Sequence, residues 1–353
     1  MPYRTNRRTF LSGATALAGS SWISAEALAA SLQEGEERFT VRHEAVVQEI
    51  PTGAALARIW LAAPRDDAAQ TVTRLRLSGD RPGKVVTGGS FDNRAAYYEV
   101  VNPPSKLRVA LEFDLTRRPV HRKPVAAAAV PLPEARRSEF AVHLQPNRYV
   151  PVGGKFKDLA LSAVGSATNP VDQAQRLYDW VLGYVEYWQK DPKTLKPSPN
   201  GESEYCLGSR TGNCTDFHSL LMSLSRSIGI PTRMVYGGFL QGEGTPVPGR
   251  PSMDGKDADA GYHCWVESYF HGLGWCPIDV ALADLLTGHS KQQFYFGNLD
   301  ARRLTWSYGR DVTLAPRQAT GPVNAFYKVH VEVDGQVHTP WERKFTFASQ
   351  SVR

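Results

Sequence analysis

The chain has 353 residues, 42% hydrophobic and 22% charged, with a formal net charge of +6. That length suits about two domains of ~150 residues, each with a core of its own, and the composition excludes pervasive disorder. Residues 1–29 hold three arginines and one glutamate, which leaves +4 on the remainder with no Lys/Arg block, a distribution that argues against a nucleic-acid partner.

At the start, Arg7-Arg8-Thr9-Phe10-Leu11 precedes a weakly apolar stretch to Ile23, and Ala27-Leu28-Ala29 supplies small residues suited to cleavage. This is the pattern of an export signal, and the paired arginines point to the twin-arginine class. The stretch is interrupted by Ser12, Gly13, Ser20 and Ser21 and is well short of the ~20 apolar residues needed to span a bilayer. Residues 1–29 are therefore read as an export signal, and the mature protein is expected to be soluble and periplasmic or secreted.

From 38 to 120 the apolar pattern has period two. Leu107, Val109, Leu111, Phe113 and Leu115 alternate with Lys106, Arg108, Ala110, Glu112 and Asp114, as in a half-buried strand. Shorter strand-like runs lie at 39–47, 56–62, 71–77 and 95–101, separated by Gly, Pro, Asp and Asn clusters. Several short strands with such turns predict a β-sandwich, and no chemical motif falls within it. Residues 121–135 form a Pro/Ala-rich linker, and 136–353 are assigned to a second domain ending in a β extension.

In that domain Asn169 caps a helix with Pro170 at its first position, and Ala174, Leu177, Tyr178, Val181 and Val185 recur at helical spacing. A second helix is expected at 215–228, with Phe217, Leu220, Leu221, Leu224 and Ile228 as its apolar face and Gly229 and Pro231 as its stop. A strand follows at 234–240. Residues 241–261, with five glycines, three prolines and three aspartates, read as a long exposed loop. Asp254, Asp257 and Asp259 in it lack calcium-loop spacing and are read as solvated charges. Val329, Val331 and Val333 before Asp334-Gly335 predict a hairpin.

Four cysteines are present: Cys206, Cys214, Cys264 and Cys276. An oxidising compartment permits disulfides, and if Cys214 is a working thiol the other three can form at most one intramolecular pair, which the sequence does not assign. There is no C-x-x-C, so a structural zinc site is not expected, and no phosphate-binding glycine motif follows a strand. No cofactor is expected.

Cys214 follows Gly212-Asn213 at the mouth of the expected helix, where unpaired backbone N–H groups and the positive end of the helix dipole favour a thiolate and could stabilise an oxyanion. His263 begins the aromatic-rich strand at 262–270, whose alternation places His263, Trp265, Glu267 and Tyr269 on one face. The chain turns at Gly272-Leu273-Gly274 and returns as Trp275-Cys276-Pro277-Ile278-Asp279. A four-residue loop, 271–274, sets Asp279 opposite Val266 on the wrong face. A five-residue loop, 270–274, sets it opposite Trp265 and diagonal to His263, within reach.

Gly212 to His218 followed by a helix, Tyr262-His263-Cys264-Trp265-Val266-Glu267 and Gly274-Trp275-Cys276-Pro277-Ile278-Asp279 together resemble the transglutaminase-like superfamily of cysteine enzymes, in its microbial branch. Phe296-Gly297-Asn298-Leu299-Asp300 and Gly309-Arg310-Asp311 resemble segments that follow the core there, and the N-terminal β-domain resembles one often fused ahead of it. The resemblance implies an α+β fold, in which a papain-like core bears the cysteine on a helix and the histidine and aspartate on an antiparallel sheet. It implies Cys214 as nucleophile, His263 as general base and acid, and Asp279 as orienting carboxylate. Trp188, Gln189 and Tyr205 are candidates for completing an oxyanion hole, and Trp265 for contacting substrate. The superfamily includes peptidases, amidases, cross-linking acyltransferases and members that have lost activity. The expectation is an exported cysteine-dependent hydrolase or acyltransferase acting on peptide or protein amides through a thioester, the rival being an inactive binding or scaffold protein.

Overall fold

In the computed structural model, residues 35–122, 124–240 and 261–350 are described. The expected export signal lies outside them, as does the 241–260 loop with its three aspartates. Six antiparallel strands open the described chain: β1 (Glu37–Val47), β2 (Leu56–Ala63), β3 (Gln70–Gly79), β4 (Lys84–Gly88), β5 (Asn93–Val101) and β6 (Leu107–Arg117). Alternation along β1 buries Phe39, Val41, Ala45 and Val47, and on β6 it buries Leu107, Val109, Leu111, Phe113 and Leu115. The two strands pair with Val41 opposite Phe113 and Phe39 opposite Leu115. Those inward rows face β2 and β5 of a second sheet, and the apolar residues between the sheets form one continuous core.

β7 (Val120–His121) carries the chain out of the sandwich. Helices α1 (Gly154–Val164) and α2 (Pro170–Tyr184) follow, the latter capped by Asn169, whose side chain accepts the Val171 N–H, with Pro170 at its first turn. β8 (Glu186–Tyr187), α3 (Ser203–Ser209), β9 (Thr211–Gly212) and α4 (Cys214–Ser227) lead to strands β10 (Thr232–Phe239), β11 (Tyr262–Phe270) and β12 (Gly274–Ile278). Beyond them lie α5 (Val280–Asp284), α6 (His289–Phe294), β13 (Asn298–Leu299) and β14 (Arg303–Tyr308). The core sheet has the order β12-β11-β10-β14 and is antiparallel throughout.

The apolar face expected for α4 is present, but every residue from Cys214 to Arg226 is buried, so the polar side is covered as well. Several of its polar groups find partners in the elements that cover it. The Ser223 hydroxyl donates to Ser203 at 2.8 Å. Arg226 donates to the Thr232 carbonyl at 2.8 Å, the Gln145 carbonyl at 2.7 Å and the Asn147 side chain at 2.8 Å. A serine-rich polar side is narrow enough to be packed over, provided each hydroxyl and guanidinium is bonded.

The last strands, β15 (Val329–Val333), β16 (Gln336–Val337) and β17 (Trp341–Ser349), return to the first half of the chain. The β15–β16 hairpin forms at Asp334-Gly335 as its sequence indicates. β15 pairs with β2, Val331 opposite Ile59, and β17 pairs with β1 over nine positions from Phe39 to Val47. The segment assigned from sequence to the second domain as its β extension thus supplies strands to both sheets of the sandwich. Between the two halves, β14 is buried along its whole length, with Leu304 and Trp306 in the sandwich core and Tyr308 in the other. Phe345 on β17 is fully buried beside Trp306. Phe345→Ala is expected to lower stability by about 3–5 kcal/mol in urea unfolding followed by circular dichroism, whereas an unchanged midpoint would mean that this strand does not fill the core.

Candidate active site

The approach to Cys214 is built by hydrogen bonds to two side chains. Asn213 accepts the N–H groups of Thr215 at 2.8 Å and Asp216 at 3.2 Å, and Asp216 in return accepts the Asn213 N–H at 2.9 Å. This reciprocal capping box fixes the helix start immediately after Gly212. Asp216 also accepts the Ser198 hydroxyl and the Glu202 N–H at 2.8 Å, tying the 198–202 loop to the same point. Burial raises the Asp216 carboxyl above its usual range, and these donors oppose that shift. The packing leaves no room at Gly212, where a Cβ would lie 2.3 Å from that of Asp216. Cys214 is then the first helical residue, with 2% of its surface exposed.

His263 and Asp279 come from adjacent strands. β11 and β12 pair with Tyr269 opposite Trp275 and Val266 opposite Ile278, the register that carries Asp279 to the position opposite Trp265. Of the two hairpin registers open in the sequence, this is the one that lets the carboxylate reach the imidazole. His263 Nε2 lies 2.7 Å from Asp279 Oδ2, and both side chains are fully buried. Asp279 also caps α5, accepting the Leu282 N–H at 3.0 Å. Arg303, buried on β14, donates to Asp279 Oδ2 at 3.1 Å and to Asp300. Burial by itself would favour the neutral acid. The His263 bond and the charge of Arg303 outweigh it and hold Asp279 well below the usual carboxylate range. Phe239 stacks on His263 at 4.7 Å, and Arg303 lies over the Phe239 and Trp265 rings.

His263, Asp279, His218 and Cys264 form one buried cluster. Cys264, the residue after His263, lies within hydrogen-bonding reach of the Cys214 thiol, and burial pushes Cys264 well above an ordinary thiol. No cysteine is in a disulfide: Cys206, Cys214, Cys264 and Cys276 are all buried thiols. Burial raises Cys206 as well and pushes Cys276 up to about 12. Among the described residues, no group of three or more His, Cys, Asp or Glu side chains is placed to hold a metal ion.

Two members of the cluster were not singled out by sequence. His218 stands four residues after Cys214, with its ring centre 6.3 Å from that of His263. Burial lowers it to about 4 against the pull of Asp279. The i, i+4 spacing from Cys214 was the available signal. Arg303 had none, since its partners lie on other elements. The oxyanion candidates are placed unequally. Tyr187 pairs in parallel with Gly212, so half-buried Trp188 and exposed Gln189 leave the strand that flanks the entry to Cys214. The Tyr205 hydroxyl donates to the Lys196 carbonyl at 2.8 Å. Trp265, a candidate for contacting substrate, is 1% exposed, and a Cβ on Gly237 would fall 2.7 Å from its ring.

Residues 157–280 match the family model described as transglutaminase-like superfamily. The chain is 25% identical over 342 residues to an uncharacterized protein of Haemophilus influenzae, spanning 89% of this chain and 91% of that protein. It is 24% identical over 126 residues to the uncharacterized protein YebA of Bacillus subtilis, or 35% of this chain and 17% of YebA. A solved structure from Cytophaga hutchinsonii, described as a candidate cysteine protease, shares the fold with a TM-score of 0.57 at 14% identity, covering 91% of this chain and 93% of that one.

Arg303→Met would leave Asp279 and Asp300 buried without their shared cation, and is expected to cost about 3–5 kcal/mol of stability at neutral pH. A depressed carboxylate stabilises the fold above its unfolded pKa of about 4 and loses that contribution as pH falls through the folded value. The variant, with both carboxyls raised, should therefore begin to lose stability at a higher pH than the parent. Superimposable stability–pH curves would contradict this role for Arg303.

Proposed function

We propose that the chain, whose residues 157–280 match the transglutaminase-like superfamily model, is an exported cysteine enzyme that cleaves or transfers peptide or protein amide acyl groups. Cys214 is the nucleophile, His263 the general base and acid, and Asp279 the orienting carboxylate. The observation that carries this reading is the 2.7 Å bond between His263 Nε2 and a fully buried Asp279. An imidazole held on one nitrogen by a carboxylate is fixed in tautomer and ready to take a proton at the other.

In the first half-reaction His263 Nδ1 takes the Cys214 proton, and the helix N-terminus favours the resulting thiolate. Sulfur attacks the amide carbon to form a C–S bond. The charge on the carbonyl oxygen is met by backbone N–H groups at the head of α4, with Trp188 or Gln189 as the side-chain partner. The C–N bond breaks as His263 returns its proton to the leaving amine, leaving a thioester on Cys214. Water, deprotonated by His263, then attacks the thioester, the C–S bond breaks, and Cys214 regains its proton. An amine in place of water would give transamidation. Hydrolysis is favoured because water is always present and the sequence holds no recognisable amine-binding motif. Export rests on the Arg7-Arg8 signal and Ala27-Leu28-Ala29. Among the described residues no helix is long and apolar enough to cross a membrane.

The test is a glutamine-containing peptide incubated with the mature protein, with and without an added primary amine, reading ammonia and product masses. Cleavage or deamidation should fall by about 10³-fold or more in Cys214→Ala and in His263→Ala. Retained turnover in Cys214→Ala would overturn the nucleophile assignment. The exported protein should begin at Ala30, and an N-terminus that retains Arg7 and Arg8 would contradict signal cleavage.

A further inference from the structure

We propose that His218 is a positioning residue for Asp279, and that the Cys264 thiol sets the tautomer in which it does so. The inference rests on the catalytic reading above and adds to it a second imidazole on the same carboxylate. His218 lies one helical turn after Cys214 and is fully buried. Among the described residues its Nε2 has no hydrogen-bond partner, and it stands 3.6 Å from Asp279 Oδ1. Its Nδ1 stands 3.7 Å from Cys264 Sγ.

A carboxylate has about four acceptor sites. On Asp279, His263 and Arg303 occupy Oδ2, and the Leu282 N–H occupies one site on Oδ1. The remaining site faces His218 Nε2. If Nε2 carried a lone pair instead of a proton, two acceptors would confront each other in a buried space, one of them a full negative charge. The neutral Nε2–H tautomer removes that repulsion. It requires Nδ1 to accept, and Cys264 can donate to it because burial keeps that sulfur protonated. The Cys264 S–H is shared between His218 Nδ1 and the Thr215 hydroxyl, 3.6 Å away, which is also bonded to the Tyr262 hydroxyl at 2.9 Å. His218 itself stays neutral, so it offers Asp279 a donor without competing with His263 for the positive charge. At 3.6 Å the contact is longer than a hydrogen bond, and it closes when the charged thiolate–imidazolium pair forms, as catalytic hydrogen bonds commonly do.

The experiment follows the pH dependence of Cys214 alkylation by iodoacetamide in mature protein, with melting temperature measured beside it. His218→Leu keeps an apolar side chain of similar bulk but removes the donor, and His218→Gln restores a donor near Nε2. The Leu variant should raise the apparent thiolate pKa by about one unit, a roughly tenfold slower reaction on the acid side, with the rates converging above it. The Gln variant should return to within about threefold of the parent. Nitrogen-15 NMR of the unmutated protein should show His218 as the neutral Nε2–H tautomer from about pH 5 to pH 8, on the acid side of a free thiol. A Leu profile that superimposes on the parent, a Gln variant as impaired as Leu at equal melting temperature, or an Nδ1–H tautomer would each overturn the proposal. His263→Ala is the control for the underlying reading. If it too alkylates like the parent, the nucleophile–base pair itself has failed, not only the role of His218.

Discussion

The buried carboxylate of Asp279 is the constraint around which the second half of the molecule is arranged. Such a charge is tolerated in a protein interior only when it is paired and hydrogen-bonded. Here the donors come from three separate elements: the His263 imidazole from β11, the Arg303 guanidinium from β14 and the Leu282 N–H from α5. The same acid caps α5, ends the β12 segment and orients the histidine. Moving any one of these elements by an ångström would leave a buried charge unmatched, so the requirements of folding coincide with those of the base proposed at His263.

Arg303 extends that constraint into the N-terminal sandwich. It opens β14, whose Leu304 and Trp306 belong to the sandwich core, while Arg303 neutralises Asp279 and Asp300 on the other side. The sandwich is itself closed by β15 and β17 from the C-terminus. The first and last parts of the chain therefore brace the strand that braces the carboxylate. The β-domain carries no chemical motif, but it has a physical connection to the candidate site through a single buried strand.

Much of this was legible in the sequence because it is local. Alternation at 107–115, the Asn169-Pro170 helix start and Asp334-Gly335 each encode their structure within a few residues. The capping box around Asn213 and Asp216 falls within the Gly212–His218 motif, and the need for glycine at 212 follows from it. The β11–β12 register was reduced to two choices by parity, and packing of Asp279 selects between them. What was not legible depends on distant partners. Nothing in the alternation of 329–349 says that its partners are β1 and β2, some 280 residues earlier in sequence. Trp265 was placed on the correct strand face, but that face is filled there, because Gly237 makes room for the indole and Arg303 covers it. His218 lay within the quoted motif, yet its significance comes from Cys264 and Asp279, which reach it from other elements.

The central claim is that Cys214, His263 and Asp279 act together to form a thioester. The most direct measurement is intact-protein mass spectrometry after acid quench, with an activated acyl ester of a glutamine peptide as donor and peptide mapping of any adduct. The account predicts one acyl group on Cys214 that builds up within the first turnover and decays as water releases the free acid, with much slower build-up in Asp279→Asn. No adduct, an adduct on Cys206, Cys264 or Cys276, or equal build-up in the Asp279 variant would contradict it.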